Sequence, residues 1–142
     1  MKAMATLETN TGPIVQSKDS IIHFEEGLIG FAECKDFVLM ENERLAPFRL
    51  LQSTDRSDVG FLVLQPTVVV RDYYNLVPAR EWEAVGVTAA DARLGFVICI
   101  IGPSPDESAG NFQAPLLINY KKMIGRQVIL TDSGFSVRQR LL

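Results

Sequence analysis

The sequence predicts an all-β, mainly antiparallel domain, closed or partly open as a small barrel, with one or two short helical turns near residues 78–92. Three observations predict it. The apolar runs are short, rich in Val, Ile and Phe, and interrupted by Gly, Pro, Asn, Asp or Ser about every 8 to 15 residues. No helical segments alternate with these runs, which excludes a parallel βαβ sheet. Only residues 75–94, "NLVPAREWEAVGVTAADARL", exchange β-branched residues for helix formers.

In chain order, two weaker strands are expected at 7–8 and 14–16. The run "IIHF" gives a strand at 21–24, ended by Glu25, Glu26 and Gly27. "FVLM" gives 37–40, and "FRLLQS" gives 48–53, closed by the turn chemistry of "STDRSDVG". "GFLVL" gives 60–64, and the β-branched "TVVV" after Pro66 gives 67–70. In the helical stretch, Pro78 suits a first turn and Gly86 a stop, and the turns are expected to cover an open end of the barrel. Strands resume with the long apolar run 94–101, then 116–119, opened by Pro115, and 127–130. An open sheet would expose two edges and one apolar face, so the sheet must close or stack. With no repeat and no linker, residues 1–142 form one domain; the loop 102–111 is expected to be mobile and residues 131–142 to fray.

Composition narrows the function. A chain of 142 residues, 47% hydrophobic and 22% charged, buries a core without staples. Its longest apolar run, "FVICII" at 96–101, is about a third of the roughly 20 residues a membrane helix needs, so a soluble cytoplasmic protein is expected. Cys34 and Cys99 stand far apart with no CxxC, giving neither a metal site nor a disulfide framework; both are expected reduced, Cys99 in the core. A net charge of −3 argues against broad phosphate binding. Residues 1–60 carry ten acids against six bases, whereas 120–142 carry Lys121, Lys122, Arg126, Arg138 and Arg140 against Asp132 alone, an asymmetry that suits a charge-selective protein partner.

Few side chains suggest chemistry. His23 with Glu25 and Glu26 is the only acid–base cluster around a histidine, but strand alternation turns Phe24 and Ile22 inward and leaves His23 and Glu25 near solvent, without visible tuning. The serines lack a GxSxG elbow and a second histidine. Gly27 and Gly30 lie in turns between strands, not ahead of a helix, which disfavours a phosphate cradle. Tyr73 and Tyr74 beside Arg71 could stack bases, as in a barrel that binds RNA or a nucleotide directly; packing is the simpler role. No cofactor or metal is called for, and no enzyme. Two places remain: "IIHFEEGLIGF", in which Leu28, Ile29 and Phe31 offer apolar area beside Glu25 and Glu26, and "NFQAPLLIN", in which Asn111 and Asn119 are expected to tie loop backbone together.

The ordered set of motifs resembles the FliW family of flagellar assembly factors. It comprises Gly12 before Ile14-Val15, "IIHFEEGLIGF", "PFRLLQSTD" followed by "VGFLVLQP", "DYYNL", "NFQAPLLIN" and "GRQVIL", spanning residues 12–130. Three positions depart from the family pattern: Ile29 replaces a proline between the glycines, the usual threonine before Asn111 is lost, and Gln65 replaces an aspartate before Pro66. The resemblance implies a non-enzymatic regulator that binds CsrA, the carbon storage regulator, and relieves repression of flagellin messenger RNA allosterically. It also implies binding to flagellin, which competes for the same protein, and no direct contact with nucleic acid or membrane. On this reading Glu25, Glu26, Leu28, Ile29, Phe112, Gln113 and Pro115 are candidate contacts. Phe24, Gly27, Gly30, Phe31, Gln52, Ser53, Pro66, Tyr73, Asn111 and Asn119 are the motif's structural residues.

Overall fold

The computed structural model describes residues 4–9, 12–17 and 21–141. Strands β1 (Met4–Thr9) and β2 (Gly12–Ser17) form an antiparallel hairpin with Leu7 and Ile14 as register partners. The remaining strands are β3 (Ile21–Phe24), β4 (Asp36–Met40), β5 (Arg49–Ser53), β6 (Gly60–Leu64), β7 (Leu94–Ile100), β8 (Ala109–Gly110), β9 (Leu116–Asn119), β10 (Ile124–Gln127) and β11 (Gln139–Arg140). Seven of them run in the order β7-β6-β5-β4-β3-β10-β9, and β9 pairs back onto β7, so the barrel closes and hides its edges. Every pairing is antiparallel except β3 with β10, where His23 lies beside Ile124. The barrel is therefore mixed.

Strand alternation explains the packing. One cluster fills the barrel with Ile22 and Phe24 of β3, Phe37 of β4, Leu51 of β5, Val63 of β6, Phe96 of β7 and Leu116 and Ile118 of β9. The opposite faces of β7 and β9, carrying Val97, Cys99 and Leu117, are buried as well, under a second cluster with Tyr73, Val77, Trp82, Phe112, Val128 and Leu130. Burial on both faces is why these two strands read as unbroken apolar runs.

The helical segment builds that second layer. Helices α1 (Tyr73–Leu76) and α2 (Ala79–Ala84) hold the fully buried Tyr73 and Trp82 against the outside of β7 and β9. They do not cover an open end, and α1 begins before residue 75, with Tyr73, whose hydroxyl donates to the Phe112 carbonyl. Pro78 takes the N-cap position of α2. Gly86, at φ +82°, ends it in a Schellman motif: Val87 N–H donates to Trp82 O and Gly86 N–H to Glu83 O.

Two expected strands are corrected. Residues 67–70 are not extended: Pro66 opens a 3₁₀ turn (Pro66–Val68), and Val69 and Val70 both donate to the Pro66 carbonyl. The fixed φ of proline outweighs the β preference of the three valines. The strand expected at 127–130 lies three residues earlier, as β10. Val128 N–H donates to Pro115 O and Leu130 N–H to Gln113 O, but Pro115 has no N–H to return, so the ladder stops there. The loop 102–111 contains a 3₁₀ turn and β8, and the expected fraying end contains β11, paired with β8. No described helix is long and apolar enough to cross a membrane.

Candidate functional site

The segment after β3 is a double turn. Gly27 adopts φ +66°, and a Cβ there would meet the Phe31 carbonyl at 2.6 Å, so only glycine fits. Leu28 and Phe31 exchange backbone hydrogen bonds around Ile29 and Gly30, and Gly30, at φ +85°, supplies the positive φ that the second central residue of a type II turn requires. Leu28 points down and is 2% exposed; Ile29 stands at the tip, 60% exposed. Phe31 is half-buried and packs edge-on against Phe61, ring centroids 5.3 Å apart.

Acids surround the tip. The Glu25 and Glu26 side chains are exposed, and Glu26 approaches Arg126 of β10 at 3.9 Å. Lys35 donates to the Glu25 carbonyl, not to its carboxylate. His23 is held between two carboxylates, with Nδ1 2.7 Å from Asp36 and Nε2 3.0 Å from Glu25, and its pKa is raised, first by the hydrogen bond to Asp36 and then by that to Glu25. Asp36, which strand pairing brings opposite His23, is the neighbour that sequence spacing did not reveal. Both ring nitrogens are occupied, so the imidazole joins β3 to β4 at the surface through two carboxylates.

Gln127 is a further member that sequence reading missed. Its Oε1 accepts the Ile29 N–H at 2.8 Å while its Nε2 donates to Ala114 O at 3.1 Å, bolting the turn to β10 and to the 111–115 segment. A proline at 29, the residue the family pattern favours, has no N–H to give. The departure at Ile29 was the available signal.

Of the expected contacts, Glu25, Glu26 and Ile29 cluster at the tip, and Gln113 is half-exposed nearby in the segment that Gln127 ties to it. Leu28, Phe112 and Pro115 are corrected: all three are buried, Phe112 completely, and have no surface to offer. Leu28 goes inward because the tight turn returns it to the barrel cluster, and Phe112 because its ring packs edge-on to Tyr73, centroids 5.5 Å apart.

The polar side chains Gln52, Ser53, Asn111 and Asn119 bond to backbone. Gln52, 2% exposed, donates to Val59 O at 2.9 Å, and Ser53 Oγ accepts from the N–H groups of Asp55 and Arg56 at 3.1 Å each. Phe24 is fully buried and Pro66 buried. Asn111 Oδ1 accepts from Ala114 N–H at 3.1 Å; Asn119, 6% exposed, donates to Val85 O at 2.8 Å and accepts from Lys121 and Lys122 N–H. Tyr73 is buried and Tyr74 is half-buried with its hydroxyl on Gly95, edge-on to Trp82, so neither ring presents a face for base stacking. Cys34 and Cys99 are free and buried, and burial pushes the Cys99 thiol up to about 12.

Residues 5–141 match the family model described as FliW protein. The flagellar assembly factor FliW of Leptospira interrogans serovar Lai is 36% identical over 132 residues, covering 92% of this chain and 88% of that protein. That of Thermotoga neapolitana is also 36% identical, covering 94% and 90%. A crystal structure of the flagellar assembly factor FliW superposes with a TM-score of 0.86 at 32% identity, covering 97% of both chains.

Proposed function

The chain belongs to the FliW family of flagellar assembly factors, and we propose that it acts in the cytoplasm as a protein-binding regulator of flagellin synthesis. Its two partners on this reading are the translational repressor CsrA, which it antagonises allosterically so that flagellin messenger RNA is translated, and flagellin, which competes for it. Free flagellin then occupies the antagonist and limits its own synthesis. The observation that carries the reading is the tip of the glycine turn: a large apolar side chain, Ile29, held out to solvent by a turn that its own hydrogen bonds fix, with Glu25 and Glu26 alongside. An exposed apolar anchor with a charged rim is the anatomy of a protein–protein contact. Acids on the rim favour a basic, RNA-binding partner. The direct RNA-binding alternative has no such support, since the tyrosines that suggested it are engaged in packing.

Surface-plasmon kinetics with purified CsrA and flagellin test this. Reversing Glu25 and Glu26 to Lys should slow association with CsrA and flatten its salt dependence, because rim charges act over about a Debye length, roughly 8 Å at physiological ionic strength. Ile29→Ala should chiefly speed dissociation. Association that ignores both the double reversal and a salt increase from about 0.05 to 0.5 M moves the contact away from this turn. No binding to either protein would sink the reading itself.

A further inference from the structure

A separate surface carries an inference that does not depend on the glycine turn. We propose that a groove beside the 3₁₀ turn Pro66–Val68 docks a cationic peptide segment of a partner protein, one or two large apolar side chains lying in the groove and Lys or Arg on its acidic lip.

The groove follows from how the second core layer ends. The second core layer buries the outer face of β7 as far as Cys99, 7% exposed, but just past the strand's end Ile101 is left 50% exposed. The opening encloses about 420 Å³ and is walled by Phe48, Leu64, Val68, Val69, Ile101 and Leu141. Its size is that of ligand-sized pockets, roughly 300–1,000 Å³. Val68 and Ile101 are 58% and 50% exposed, side by side at the margin of a core, which is the surface signature of a partner site.

The polar groups on the wall are already engaged. Ser108 Oγ accepts from Gly102 N–H at 3.2 Å, and Ser104 Oγ lies 2.6 Å from Asp106 and 3.0 Å from Glu107. The occupant of the groove is therefore apolar. The lip is different. Ser104 has one proton for two carboxylates, and among the described residues no cation lies within ion-pair distance of Asp106, Glu107 or Glu43. An adjoining recess shares Pro47, Phe48 and Val68 with the groove and adds Glu41 and Glu43; Arg49 answers Glu41 at 3.1 Å, leaving Glu43 open. Anionic groups thus adjoin the apolar floor, Asp106 and Glu107 through Ser104 and Glu43 through the shared recess, and charge complementarity selects a segment with apolar anchors and flanking Lys or Arg.

Fluorescence anisotropy tests it on the full chain, with a labelled peptide built only of leucine and lysine and a counterpart of leucine and glutamate in the same order. Saturable binding of the leucine–lysine peptide is expected, at least about tenfold weaker for Val68→Asp and for Ile101→Asp, and similarly weakened by Asp106→Lys with Glu107→Lys. The acidic peptide should bind at least about tenfold more weakly. All variants replace exposed or half-exposed side chains, and circular dichroism melts confirm that they fold. The proposal is overturned if neither peptide binds, if both bind alike, or if the leucine–lysine peptide keeps its affinity for both Asp variants. Sedimentation supplies the last arm: a wild-type dimer that Ile101→Asp dissolves would assign the groove to a second copy and overturn the proposal as well.

Discussion

Replacing Asn119 by Ala removes a buried side chain that hydrogen-bonds from β9 to the end of α2. Its amide donates to the carbonyl of Val85 at 2.8 Å, and its oxygen accepts the N–H groups of Lys121 at 3.0 Å and Lys122 at 3.1 Å. The two N–H groups lie in an exposed turn and can turn to water, so their loss is small. The Val85 carbonyl sits in a residue only 3% exposed and would be left without its donor, at a cost of about 1–3 kcal/mol. For a domain of this size each kcal/mol lowers Tm by roughly 2–4 °C, which places the variant about 2–12 °C below wild type. Asn119→Asp separates the donor from the acceptors. It keeps both acceptor contacts but sets a carboxylate oxygen against a carbonyl oxygen, so its deficit should be large at neutral pH and shrink in acid, where a protonated carboxyl donates again. Asn111→Ala is the control: that side chain is half-buried, makes one bond, and should cost less. Circular dichroism melts from pH 4 to 8 decide the matter. An Asn119→Ala protein within about 0.5 kcal/mol of wild type, or an Asp variant whose deficit ignores pH, would refute the reasoning.

The neighbours Leu28 and Ile29 should behave oppositely in chemical denaturation: Leu28→Ala leaves a core cavity and costs about 2–5 kcal/mol, while Ile29→Ala stays within about 0.5 kcal/mol of wild type, and similar values for the two would contradict their burial. His23 has a raised pKa in the fold, so its contribution is fully present below its unfolded value near 6.5 and is lost as pH rises through the folded value; a His23→Gln variant should therefore lag wild type most below about pH 6.5 and converge with it only once pH has passed the raised folded value, and a gap independent of pH would count against the clamp on Asp36 and Glu25. Ile29→Pro deletes the N–H that Gln127 accepts but pre-sets φ at the first central position of the turn; the two effects oppose, and melting within about 1 kcal/mol of wild type is expected, a larger fall meaning that the hydrogen bond outweighs the ring.

What could be read along the chain was what local chemistry controls. Closure of the sheet followed from short β-branched runs and the edge problem, the stop at Gly86 from its tolerance of positive φ, and the twin glycines of the turn likewise. What could not be read depends on partners distant in sequence. The run 94–101 announced a strand, but only the arrival of Tyr73 and Trp82 on its far side makes it a strand buried twice, and that second layer is why the helical turns pack on a face instead of an end. The valines after Pro66 have strand character and no strand to pair with, so the proline decides their backbone. In the turn itself, apolar Leu28 and Ile29 look equivalent; a single backbone hydrogen-bonded pair, Leu28 with Phe31, sends one into the core and the other into solvent.

Ile29 shows how a departure from a family pattern is best interpreted. As a missing proline it suggests a looser loop, since φ is no longer fixed. The same change creates a backbone donor, and an exposed turn with a free N–H gains order if an acceptor is near. Gln127 supplies that acceptor from 98 residues further on, and its other end holds the Ala114 carbonyl in the segment that contains Gln113. Rigidity lost from the ring is thus offset by a hydrogen bond, and with it the turn acquires a mechanical link to the second candidate contact that a proline turn would lack. If a partner touches Ile29 and Gln113 together, Gln127→Ala should weaken it without itself being touched, and Gln127→Glu, which keeps an acceptor for Ile29 but has no donor for Ala114, should restore the turn alone. Equal binding by all three proteins would mean that the turn and the 111–115 segment act separately.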